Sequence, residues 1–230
     1  MGTSKGYIPP TKPEWSSAKR AVSSFLRNRD EESKENAIHK FGEAMSSAGI
    51  VSGSTFSSAA GNILGFAQGI RENGLDNTLV EFGREDLIGK KPDEILEELI
   101  YQFTNNSSTL EDSLASDALS QALENLNIET VDDLGNVEID ALLREMVADF
   151  VIISFDLVFD EKIGKGRGQA EKEMILKEMH MFIADAVYSF LSQEELKKVD
   201  LANMSASSVV KNSLDEAYRI CASYYGGNNQ

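Results

Sequence analysis

The sequence predicts an all-α protein, an irregular array of about seven to nine helices behind an extended N-terminal arm. Three observations carry this. Apolar residues recur at spacings of three and four from residue 13 onward. Three of the four prolines fall within the first 13 residues. Beyond Pro92 no proline interrupts the remaining 138 residues.

The first twelve residues, Met1-Gly2-Thr3-Ser4-Lys5-Gly6-Tyr7-Ile8-Pro9-Pro10-Thr11-Lys12, show neither a helical nor a strand period. Proline fixes φ and lacks an N–H donor, so this stretch reads as an extended leader. Removal of Met1 is expected, and it leaves an unhindered α-amine on Gly2. Pro13 then occupies a favoured first-turn position, and Trp15, Ala18, Val22, Phe25 and Leu26 make the stripe of a helix ending near Asn28. A second helix over 30–48 opens on acidic residues, buries Ala37, Ile38, Phe41, Ala44 and Met45, and stops at Gly49.

The third helix, 54–72, carries Ser57, Gly61, Gly65 and Gly69 at four-residue intervals, a near-axial row of small residues. Each glycine costs roughly 1 kcal/mol of helix propensity relative to alanine, so close packing is expected in return. That packing is either a helix crossing within the chain or a docking face for a partner. Gly61, Gly65 and Gly69, with Trp15, are therefore the partner-docking candidates. Gly74 ends this helix. A short helix follows over 75–82, then a turn over 83–89, then a helix from Pro92 with Ile95, Leu96, Leu99, Ile100 and Phe103 inside.

Thr104 to Ser107 is a polar break. It divides the chain into an arm (1–12), an N-terminal helical subdomain (13–104), a C-terminal helical domain (105–226) and a tail (227–230). Ser108-Thr109-Leu110-Glu111 matches a capping box opening a helix with Leu110, Leu114, Ala118, Ala122, Leu123 and Leu126 on one stripe. A turn over 127–137 leads to 139–159, apolar nearly all round and so expected at the centre. The β-rich run 151–159 and the following Gly164-Lys165-Gly166-Arg167-Gly168 invite comparison with phosphate loops. The glycine spacing fits neither G-x-G-x-x-G nor G-x-x-x-x-G-K-[ST], and a basic interhelical loop is expected. A helix over 170–191 places Met174, Ile175, Met179, Phe182, Ile183, Ala186, Val187 and Phe190 toward the core, and a last one covers 206–224.

Composition narrows the function. Of 230 residues, 41% are hydrophobic and 26% charged, with net charge −16. Residues 1–29 hold six basic side chains against Glu14 alone, so the acidity resides in the body and opposes binding to phosphate backbones. Residues 44–70 are 27 uncharged residues in succession, but only 13 are apolar and six are serine, so no membrane span is expected. No signal peptide is visible, and Gly6 breaks the myristoylation pattern. Cys221 is the only cysteine, which excludes an internal disulfide and makes a cytoplasmic address the simplest reading. His39 and His180 lie in separate helices without ligand spacing, Cys221 lacks a base, and no G-x-S-x-G elbow occurs. No catalytic residues, metal or cofactor are expected.

Met1-Gly2-Thr3-Ser4, the following Pro9-Pro10 and Trp15, and the helical body with Gly83-Arg84-Glu85-Asp86-Leu87-Ile88-Gly89 resemble the QatB components of Qat antiphage defence systems. The resemblance implies partners: an ATPase, a QueC-like enzyme (QatC-type) related to 7-cyano-7-deazaguanine synthases, and a TatD-like nuclease. It also implies that the QueC-like enzyme attaches a 7-deazaguanine to the N-terminal glycine through an amide. By the matching motif Gly2 is the acceptor, with Gly2, Thr3, Ser4, Lys5, Gly6 and Tyr7 in the partner's active site. The alternative is a purely structural adaptor, bridging the ATPase and other components with an inert terminus. An acidic nucleic-acid mimic is a third reading that no motif supports.

Overall fold

A computed structural model of the chain describes residues 11–49, 51–191 and 205–223. Among them are ten α-helices, two 3₁₀ turns and no strand. The helices are α1 (Pro13–Asn28), α2 (Glu31–Ala48), α3 (Ser54–Asn73), α4 (Leu75–Glu81), α5 (Pro92–Phe103), α6 (Leu110–Asn125), α7 (Val131–Asn136), α8 (Ile139–Gly164), α9 (Gln169–Phe190) and α10 (Ala206–Ser223). None of the described helices is long and apolar enough to cross a membrane. Residues 51–53 separate α2 from α3 inside the uncharged stretch.

The tenth helix is α7, which exceeds the expected number and lies where the sequence reads as a turn. A capping box opens it: the Asp133 amide donates to the Thr130 hydroxyl at 3.4 Å, and the Thr130 amide donates to the Asp133 carboxylate at 2.9 Å. Val131 and Leu134 then bury fully. At Gly135 a Cβ would fall 2.7 Å from Ile70, so glycine lets α7 lie against α3.

The cap of α6 is one residue later than expected. Thr109, not Ser108, takes the N-cap position and pairs reciprocally with Asp112. Ser108 instead donates its hydroxyl to Asp112 at 2.9 Å. Asn105, Asn106 and Ser107 all take positive φ in the preceding turn, and the Asn105 amide donates to Asp112 at 3.1 Å. These donors, Asn105 first, hold the Asp112 carboxyl down at about 2. Glu111 is thereby released to another helix. Its carboxylate accepts from the Ser52 hydroxyl at 2.7 Å and the Thr55 amide at 3.3 Å. It thus places a negative group at the start of α3, where Gly53 has no side chain to cap with.

The 26-residue α8 occupies the centre as its composition predicts, packing against α1, α3, α6, α9 and α10. Its β-rich half is helical throughout. Phe150 stacks on Phe56 with centroids 4.1 Å apart, and Phe155 meets Phe41 edge-on at 5.4 Å. The core is one continuous cluster from Trp15 to Cys221, crossing the polar break, so residues on both sides of 104 share it.

The loop between α8 and α9 is a tight reversal. Arg167 donates to the Ile163 carbonyl at 3.0 Å and pairs with Glu171 at 3.2 Å, so this side chain serves the hairpin. Along α9, Ile175, Met179, Ile183, Ala186 and Val187 are buried, but Met174 is 58% exposed. The expectation that Met174 faces the core is corrected. It stands two turns from Met181, also 56% exposed, on the outer side of the helix.

α10 is wedged between α2 and α3, and glycine permits this on both sides. A Cβ on Gly42 would lie 2.4 Å from the Ala222 amide nitrogen, and one on Gly61 would lie 2.5 Å from that of Ser207. Both conflicts are with backbone, which cannot step aside. At Gly69 the conflict is with the Thr78 side chain at 2.7 Å, and at Gly65 the nearest atom is Phe82 at an ordinary 3.6 Å. Substitution should therefore separate the glycines. Gly42→Ala and Gly61→Ala are each expected to cost about 2 kcal/mol or more by overpacking. Gly65→Ala should be neutral or stabilising by up to ~1 kcal/mol. Urea unfolding midpoints of the variants measure the difference.

Candidate functional site

The arm joins the body at α1. Residues Gly2, Thr3, Ser4, Lys5, Gly6 and Tyr7 lie outside the described residues. Thr11, Lys12 and Pro13 are exposed, whereas Trp15, two positions on, is fully buried. The Trp15 ring meets Phe41 at 6.3 Å. Phe41 in turn contacts Phe155, Phe159 and Tyr218. Trp15 thus anchors α1 in the core and offers no surface to a partner, which corrects its reading as a docking contact.

The glycine row is likewise taken up inside the chain. Gly61 lies against α10 and Gly69 against Thr78 of α4. Gly65 borders a recess of about 40 Å³ with Leu64, Gln68, Ile139, Leu143 and Ala206. The close helix crossing, rather than a partner-docking face, accounts for Gly61 and Gly69.

The corner between α1 and α2 is fastened to α9. Arg29 ends α1 at positive φ, lies over the Phe25 ring at 4.9 Å and pairs with Glu178 at 2.7 Å. Lys34 of α2 reaches the same Glu178 at 3.6 Å and covers Phe182 at 5.1 Å. α1 therefore leaves the arm a fixed starting point.

A polar cluster that the sequence does not announce joins α6, α8 and α9. The Asn125 side-chain amide donates to Glu145 at 2.9 Å and to Asp149 at 3.2 Å. The Tyr188 hydroxyl donates to Glu145 at 2.5 Å. His180 lies 2.7 Å from Asp156 one helical stretch away. Asp149 is only 5% exposed, and burial together with the Glu145 charge raises its carboxyl to about 7. Burial and the Glu145 carboxylate also push the Tyr188 phenol well up.

This cluster can hold a proton on the Asp149 carboxyl near neutrality. Among the described residues no group of His, Cys, Asp and Glu is placed to hold a metal ion. Cys221 is fully buried, and that burial pushes its thiol up to about 12. The charge on Asp149 opposes folding. Its folded value exceeds the ordinary 3.8, so the native state binds the extra proton, and stability falls as pH rises from about 4 through 7. Asp149→Asn, which needs no ionisation, should raise the urea midpoint at pH 8 and flatten its decline between pH 5 and 8.

Comparison with curated proteins and with solved structures finds no match. A family model does match, over residues 46–221, under the description "Qat anti-phage system associated protein QatB". The matched stretch takes in α3 to α9 and nearly all of α10, including both glycine positions of the α3 row that meet other helices. The arm and α1 precede it. Because the match covers well over half of the chain, the protein belongs to the QatB family and is a component of the Qat anti-phage defence system.

Proposed function

We propose that this chain is a non-catalytic, cytoplasmic holder that presents the amine of Gly2 to a QueC-like enzyme, which joins it to a 7-deazaguanine through an amide. The observation that supports this is the root of the arm. Thr11, Lys12 and Pro13 are exposed beside an α1 pinned by Trp15. Nine residues, Gly2 to Pro10, precede Thr11 once Met1 is removed, and at ~3.3–3.6 Å each they reach at most about 32 Å into a partner. An α-amine, with an ordinary pKa of about 7.7–8.0, is available as a neutral nucleophile far more readily than lysine near 10.4. Gly2 adds no Cβ to a narrow channel, and Thr3 and Ser4 behind it are small. The ATPase and the TatD-like nuclease are further partners on this reading.

The adaptor reading draws on a different observation, the outward Met174 and Met181 on α9, whose flexible side chains suit an adaptable contact. The two readings divide on the arm. After co-expression with the QueC-like enzyme, the N-terminal peptide should carry the deazaguanine mass on Gly2. Gly2→Ala or an N-terminal extension should lower or abolish the adduct. An unmodified Gly2 in an active complex would overturn the proposal. Deleting residues 2–12 should abolish defence against phage while leaving the body folded; retained defence would favour the adaptor.

A further inference from the structure

A groove opens where the arm leaves the body. Its walls are Glu14 of α1, Glu43, Ser46 and Ser47 of α2, and Arg219 and Ala222 of α10, around a space of about 490 Å³. The packing of this end leaves it shallow and open to solvent. α1 and α2 run antiparallel, and Gly42 draws the end of α10 into backbone contact with α2. The three helix ends form the rim. Arg219 is occupied by Glu216 of its own helix. Glu43 pairs with Lys40 at 2.6 Å, while Glu14 makes no ion pair with a described residue.

We propose that this groove is the docking site of the chain's own arm, residues 3–8, with Lys5 against Glu14 and Glu43 and with Tyr7 and Ile8 over the aliphatic surface at Ala222. Three observations select this occupant. The first is reach: Glu14 is itself a wall of the groove and stands two residues after Lys12, so the arm starts at the rim. The second is charge. Residues 1–12 hold Lys5 and Lys12 and no acidic residue, against two carboxylates in the groove. The third is the chemistry of the arm. Tyr7 and Ile8 bring apolar side chains to the aliphatic surface at Ala222 within the same short segment as Lys5. Residues 224–230 start at the same end of α10 but contain no lysine or arginine to meet Glu14 and Glu43.

A docked arm holds Gly2 close to the body until a partner competes for residues 3–8. The interaction concerns the isolated chain and needs no enzyme, so its failure would leave the modification of Gly2 untouched.

Paramagnetic relaxation on the isotopically labelled full chain tests it. A nitroxide is placed at Ser47→Cys in the groove wall, or at Glu97→Cys on α5, which packs on α3, α6 and α7. Cys221 is buried and takes no label. The groove label should reduce the amide signals of Lys5 to Ile8 at least threefold more than the α5 label does. Glu14→Gln with Glu43→Gln should lower the docked population about two- to fivefold, and so should 0.5 M salt with the groove unaltered. Equal signals from the two labels would overturn the proposal, as would broadening indifferent to both the carboxylates and salt. Broadening of residues 224–230 in place of the arm would assign the groove to the C-terminal segment and equally overturn it.

Discussion

The close approach of α10 to two other helices is the constraint on which the rest of the structure depends. Backbone meets backbone at Gly42 on α2 and at Gly61 on α3, with separations that no side chain could share. These contacts set the distance between α2 and α3, and so the width of the space that α8 fills. They bring Tyr218 of α10 to Phe41, the ring that also receives Trp15, Phe155 and Phe159. Helix propensity is sacrificed at both positions, and dispersion contact along two helix faces offsets the loss.

Around this crossing the polar groups are arranged so that one helix supplies what another lacks. α3 begins at a glycine that cannot cap, and Glu111 of α6 faces its first amides. Glu178 of α9 gathers Arg29 and Lys34 from the corner between α1 and α2. These links are partly exposed, so each adds little stability of its own. Their effect is positional, because they fix which turn of one helix stands beside which turn of the next. Asp149 is the exception. It is buried beside the Glu145 carboxylate with Asn125 as its hydrogen-bond donor, and its charge opposes folding.

Much of the fold was legible in the sequence because the signals were local. Pro13, Gly74 and Pro92 mark helix ends by their backbone chemistry and Asp30 by its side-chain cap on the Ser33 amide, and the structure places ends at or beside all four. The errors share a cause as well. Ser108 and Thr109 are both hydroxyl residues, each three positions before an acidic one, so pattern alone could not choose between them; the turn at Asn105 to Ser107 does. α7 is too short to show a period, and Gly135 disguised it. Met174 adjoins buried Ile175 in sequence but falls on the same outer side of α9 as Met181. Gly42 belongs to no row, and only the path of α10 explains it. The polar cluster joins positions 125, 145, 149 and 188 from three helices, a juxtaposition no single segment contains. For the candidate site, the arm's composition was plain, whereas burial of Trp15 and of the glycine row required the tertiary structure.

The wedged position of α10 also bears on how the protein comes into being. Synthesis runs from the arm toward α10, so Gly42 waits for Ala222, and Phe41 for Tyr218, while about 180 further residues are made. At ~5–20 residues per second that interval is roughly ten seconds or longer. During it α2 and α3 have apolar faces without their final cover, and long-range closure of this kind is slow. The arm is made before the body, but the socket that fixes its root is completed only once α10 follows. The order of manufacture thus delays a firmly held N-terminus until the body is whole, and chains cut short before α10 would carry the same amine on an unfinished core.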